Sequence, residues 1–149
     1  MNTKWYLCKI KYDKVNEKGL TKQVLEQYLV GAMTPSDAEK IVVDYLTPYI
    51  VGDLSVIGVT VTKFNEIYYS DEEEYWYKFK ISLITLNEKT GIEKENKCQF
   101  LVQCDNIQEA FKRIVKEMRN SVSDYRIISI TETKILDVIT EEKQEPLPD

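Results

Sequence analysis

Two short stretches combine a ring that can stack on a base with cations that can hold phosphate. Trp5, Leu7, Lys9 and Lys11 stand at alternate positions near the start of the chain, and Trp76, Lys78 and Lys80 do the same further on. Alternate residues of a β-strand share one face, so each stretch would present an indole beside ammonium groups. An indole gives an unpaired base a sequence-tolerant surface worth about 1–3 kcal/mol, while the lysines neutralise phosphate. The expectation is a single-stranded nucleic-acid platform formed by Trp5, Lys9, Lys11, Trp76, Lys78 and Lys80. The alternative is a protein-interaction or assembly module, as a homodimer for example, using the same aromatic face. The tryptophans would then pack at a seam, with the lysines as edge charges.

Other chemistry is poorly supplied. The chain has no histidine, which removes every mechanism built on an imidazole base or ligand. Its five glycines fall in neither of the phosphate-cradling spacings. Glu39, Asp44, Glu109 and Glu117 read as solvated helix faces rather than an acid–base pair. The acidic run Asp71–Glu74 lacks the Asp/Asn/Gly spacing of a calcium loop and reads as a charged connector. Cys8, Cys98 and Cys104 are an odd number without CxxC spacing, so they read as small buried residues in a reducing compartment. No enzyme, no cofactor and no metal site is expected.

Charge adds a second signal. Over 149 residues, 20 basic and 25 acidic side chains give a net −5. Much of the deficit sits in the Asp71–Glu74 run and in the last ten residues, so the remainder is slightly basic. That final segment, 140–149, is acidic and proline-containing and is expected to form a flexible tail. Its Glu141, Glu142, Glu145 and Asp149 are the candidates for recruiting a protein partner, as acidic tails of single-stranded DNA-binding proteins do. No charged-then-apolar leader and no apolar run near 20 residues occurs, which points to a cytoplasmic protein without membrane contact.

The elements that must position these residues repeat. Trp5-Tyr6-Leu7-Cys8-Lys9-Ile10 returns as Trp76-Tyr77-Lys78-Phe79-Lys80-Ile81, and Gln27-Tyr28-Leu29-Val30 as Gln99-Phe100-Leu101-Val102. Thr60-Val61-Thr62-Lys63 likewise matches Thr131-Glu132-Thr133-Lys134, so an offset of about 71 to 72 residues holds throughout. Each copy reads strand, strand, helix, strand. In the first, Trp5–Asp13 alternates with Tyr6, Cys8, Ile10 and Tyr12 on one face. Asn16–Gly19 supplies a turn, and Val24–Val30 returns. Thr34 caps a helix that opens on Pro35 and carries the stripe Ala38, Ile41, Val42, Tyr45, Leu46. Leu54–Phe64 follows as a strand. In the second copy Asn106 with Glu109 forms the cap, and the last strand runs from about Tyr125 to Ile135, extended toward Val138.

The fold expected is α+β: a tandem duplication of this unit giving mostly antiparallel sheet with two helices. Residues 1–139 would form one globular domain of two pseudo-repeats, 4–69 and 75–139, that share one sheet or stack, with 140–149 as the tail.

A family resemblance covers nearly the whole chain. It rests on Trp5-Tyr6-Leu7-Cys8-Lys9, Tyr28-Leu29-Val30 with Ala32, Thr47-Pro48-Tyr49-Ile50, Trp76-Tyr77-Lys78, Ile84 to Gly91, Leu101-Val102-Gln103 and Asp137-Val138. In these the chain resembles a family of proteins of about this length known only as a domain of unknown function, found in Bacteroidetes and their phages. The resemblance implies a bacterial or phage cytoplasmic setting and brings no assigned site residues.

Overall fold

The computed structural model describes residues 3–121 and 123–140. Strands β1 (Lys4–Val15) and β2 (Thr21–Ala32) form an antiparallel hairpin paired from Lys4↔Ala32 to Val15↔Thr21. The turn is written in its residues. Asn16 Oδ1 accepts the backbone N–H groups of Lys18 and Leu20, both at 2.9 Å, and Gly19 takes the left-handed φ of 78° that a side chain would resist. Helix α1 (Pro35–Leu46) starts where Thr34 Oγ1 accepts the Asp37 N–H at 3.1 Å, with proline in its first turn. A short 3-10 turn, Thr47–Tyr49, closes it, and strand β3 (Leu54–Thr62) then pairs antiparallel with β1 on the side away from β2.

The same grammar follows. Strand β4 (Glu66–Tyr68) is brief, and β5 (Tyr75–Leu86) and β6 (Glu93–Cys104) form the second hairpin around Asn87. Helix α2 (Ile107–Met118) is capped by Asn106 Oδ1, which accepts the Glu109 N–H at 2.9 Å. Strand β7 (Asp124–Glu132) pairs antiparallel with β5, and β8 (Ile135–Ile139) ends the described chain. Even the irregularities repeat. Ile57 is the extra residue of a bulge between β1 and β3, and Ile128 occupies the same place between β5 and β7.

The protein is α+β: the described residues form two α-helices and two separate four-stranded sheets, ordered β3-β1-β2-β8 and β4-β6-β5-β7. The halves therefore do not share a sheet. Of the described residues, 3–63 and 135–140 form one compact unit, and the other lies within Phe64–Lys134. The passage from the first to the second precedes the acidic run rather than falling on it. Nor does the last strand run on unbroken to Val138. It stops at Glu132, and β8 joins the first unit, parallel to β2, with Tyr28↔Asp137 and Leu29↔Val138 in register. Correspondingly β4, which follows β3 in the chain, lies parallel to β6. Each sequence repeat thus hands its final short strand to the other unit's sheet.

Each unit packs its helix on one sheet face. In the first, Tyr6, Cys8, Ile10, Tyr28, Val30 and Ile139 meet Ala38, Val42 and Leu46 of α1. In the second, Tyr77, Phe79, Ile81, Phe100 and Val102 meet Ala110, Ile114 and Met118 of α2. The expected periodicities are those observed: residues two apart on the strands and three or four apart on the helices.

Candidate functional site

The structure corrects the paired Trp/Lys platform. Trp76 does lie on the face opposite Tyr77 and Phe79, as alternation requires, but it is only 1% exposed. Its cover comes from the segment leading into β5. Tyr69 sets its ring edge-on against the indole, with centroids 5.7 Å apart and planes at 89°. Gln103, opposite Trp76 in the strand register, clamps that segment: its Nε2 donates to the Glu73 carbonyl at 2.7 Å and its Oε1 accepts the Ser70 N–H at 3.0 Å. Thr133 donates to the Trp76 carbonyl through both its N–H and its hydroxyl, at 2.9 and 2.8 Å. A ring closed in this way cannot receive a base.

The first unit differs. Trp5 is half-buried and lies across Gly31, where an added Cβ would come within 3.2 Å of the indole Cζ3. Lys9 and Lys80 are exposed, whereas Lys11 and Lys78 are half-buried. One accessible indole edge with Lys9 is what remains of the two matching ridges. Glu141, Glu142, Glu145 and Asp149 lie outside the described residues.

A different constellation forms in the first unit, and it includes Tyr12 and Tyr45, which periodicity places on the apolar strand face and helix stripe. An open cleft of about 310 Å³ is lined by Tyr12, Glu26, Tyr28, Tyr45, Tyr49 and Asp137, over a floor that includes Leu46 and Ile50. Four elements converge on it. Tyr12 comes from β1, Glu26 and Tyr28 from β2, and Tyr45 from the last turn of α1 with Tyr49 just beyond. Asp137 comes from β8, which sequence reasoning did not separate from β7. The parallel register that sets Asp137 beside Tyr28 turns its carboxylate toward α1, where the Tyr45 hydroxyl donates to Oδ2 at 2.9 Å. Its Oδ1 accepts the Val138 N–H at 2.8 Å. Tyr28 donates to Glu26 Oε1 at 2.9 Å. The Tyr45 and Tyr49 rings stand 6.3 Å apart, tilted by 50°.

The electrostatics of the cleft follow from this wiring. Burial first, then the hydrogen bond to Asp137, pushes the Tyr45 phenol up to about 12. Burial and Glu26 raise Tyr28 and Tyr12 in the same direction. These phenols therefore stay protonated at neutral pH, and among the described residues the lining carries two carboxylates and no lysine or arginine.

Corresponding positions of the second unit are filled otherwise. By register and helix position, Tyr12, Glu26, Tyr28, Tyr45 and Asp137 match Leu83, Cys98, Phe100, Glu117 and Glu66. There Arg113 bonds Glu117 at 3.0 Å, and its guanidinium carbon sits 5.5 Å from the Tyr68 ring centre. A separate cleft of about 240 Å³ holds Ser70, Glu73, Cys104, Glu109, Lys112, Arg113 and Lys116, a mixture of both charge signs. Burial, then Glu73, pushes the Cys104 thiol up to about 11, and burial does the same to Cys8. Both stay thiols at neutral pH and are poor nucleophiles. All three cysteines are buried and free. Among the described residues no group of three His, Cys, Asp or Glu side chains could hold a metal ion, and no helix is long and apolar enough to cross a membrane.

The signal for the tyrosine cleft was available in the sequence as a difference between repeats: a hydroxyl at Tyr28 against Phe100, and tyrosine at 45 against Glu117. Comparison with known proteins adds a family but no function. Residues 4–141 match the family described as Domain of unknown function (DUF4494). No curated protein and no solved structure matches the chain.

Proposed function

Because the chain belongs to that family of unknown function, we propose from its own geometry that it is a non-enzymatic protein-interaction module whose recognition site is the tyrosine cleft of the first unit. One observation carries this reading. A concave, polar-aromatic cleft is assembled from four separate elements in one unit, and the other unit has replaced its tyrosines with Leu83, Phe100 and Glu117. Tyrosine is the side chain that partner-binding surfaces favour, because it gives a large rigid contact and a polar end. A structural need shared by both units would have kept the same residues in both.

Single-stranded nucleic acid is the weaker reading once Trp76 is sealed, since a lone half-buried indole with Lys9 makes no groove that tracks a strand. The buried free thiols suit a reducing cytoplasm, and a small accessory module suits the bacterial or phage setting that the resemblance implies.

A photo-crosslinking amino acid at Tyr49, which is 79% exposed at the rim, tests the reading in the producing cell. The expected result is one discrete protein adduct that resists nuclease, absent when the crosslinker stands at Ser121, three residues past α2 as Tyr49 is past α1. Equal labelling at both positions, or a nuclease-sensitive adduct, would overturn it.

A further inference from the structure

Resting on the interaction-module reading, we infer that the tyrosine cleft takes an alkylammonium group, the end of a lysine side chain on the partner. Three features of the cleft select a cation. Among the described residues its lining carries Glu26 and Asp137 and neither lysine nor arginine, so an anionic group such as phosphate would meet like charge there. Its hydrogen-bonding capacity is one-sided. The Tyr28 and Tyr45 hydroxyls direct their protons to Glu26 and Asp137. A ligand that needs donors finds few, whereas carboxylates and phenol oxygens can accept. An ammonium has three N–H donors and no acceptor, the complement of such a surface. Finally, the tilted rings of Tyr45 and Tyr49 offer π-faces, which attract a cation placed within about 6 Å of the ring centre.

The second unit shows the same preference satisfied from within. In its corresponding region a cation is already present: Arg113 stands over Tyr68 and is held by Glu117. At the Arg113 position α1 has Ile41, so the first unit joins rings and carboxylates without a guanidinium from its own helix. A volume of about 310 Å³, open on one side, admits the end of an extended side chain.

The test is titration of the full chain with acetyl-Gly-Lys-Gly-amide, followed through the tyrosine ring resonances by NMR. Saturable shifts confined to the cleft tyrosines are expected, with an affinity at least about tenfold lower when the lysine Nζ is acetylated, since that removes the charge on which a cation–π contact depends. A Glu26→Gln, Asp137→Asn double variant should lose a similar factor. The acetylated and free peptides are compared on the unaltered protein, so the result stands even if that variant misfolds. Putrescine separates the sources: binding tighter than the peptide's assigns a free amine, and weaker binding assigns a lysine side chain. An acetylated peptide that binds as well as the free one overturns the inference. So does the absence of any peptide or amine binding while the adduct at position 49 persists, which leaves the interaction module standing. Loss of that adduct instead overturns the module itself.

Discussion

The two units share strand lengths, helix lengths, cap chemistry and even the position of a bulge, yet they close over different contents. In the first, tyrosines and carboxylates line an open cleft, and Trp5 crosses a bare glycine. In the second, the matching positions hold Leu83, Cys98, Phe100, an Arg113-paired Glu117 and Glu66, and a clamped segment closes over Trp76. The backbone frame is set by turns, caps and alternation, which both copies retain. The side chains that decide what remains open lie on that frame and can change without disturbing it. At these positions the second unit holds a cation of its own, Arg113, while the first unit has an open tyrosine cleft.

The largest expected effect comes from the cores. Phe79 and Cys8 occupy equivalent buried places, and both are fully shielded from solvent. Phe79→Ala should cost about 3–5 kcal/mol through the cavity it leaves. Cys8→Ala, which removes a single atom beyond Cβ, should cost about 1 kcal/mol. Chemical denaturation of both variants measures the difference, and equal costs would mean that the two cores are not built alike.

A smaller effect should separate the two tryptophans. Gln103→Ala removes both hydrogen bonds that hold the Ser70–Glu73 segment, at about 0.5–1.5 kcal/mol each. It should make Trp76 newly accessible to acrylamide while leaving Trp5 as it was. Fluorescence quenching of Trp76 in a Trp5→Phe background, and of Trp5 in a Trp76→Phe background, checks this. Unchanged quenching would show that Trp76 owes its burial to something other than the clamp.

The smallest effect is the pH dependence that Tyr45 adds in the first unit. Folding raises the Tyr45 phenol from its ordinary 10 to about 12, so the folded state keeps a proton that the unfolded chain gives up. The resulting stabilisation is complete below pH 10 and is lost as pH rises through about 12. The stability difference between the wild type and Tyr45→Phe should therefore narrow across that window. Thermal melts at successive pH values read it, and a constant difference would mean that the bond to Asp137 does not hold the phenol protonated.

Much of this frame was legible because its signals are local. Asn16 with Gly19, Thr34 with Pro35, and Asn106 with Glu109 each mark a turn or a cap within a few residues, and the helix stripes follow a fixed period. What escaped depends on distant partners. The three-residue β4 and five-residue β8 exist because β6 and β2 offer them pairing, and nothing inside Glu66–Tyr68 announces that. Trp76 fits the outward parity of its strand, and its cover comes from Tyr69 and from the segment that Gln103, on the neighbouring strand, clamps. Tyr12 and Tyr45 met the rule for core positions and were assigned there. That rule places side chains on a face without saying whether the face is filled to its edge.

The reciprocal placement of the short strands sets an order of assembly during translation. The second unit is one unbroken stretch, Phe64–Lys134, so all of its strands are synthesised before the first unit's last strand. The first unit begins earlier but completes later, because its outermost strand is Ile135–Ile139. Domains generally fold as they emerge, N-terminal first. Here the first unit's sheet waits for a strand that follows the whole of the second unit, and the cleft has no Asp137 until Phe64–Lys134 has been made.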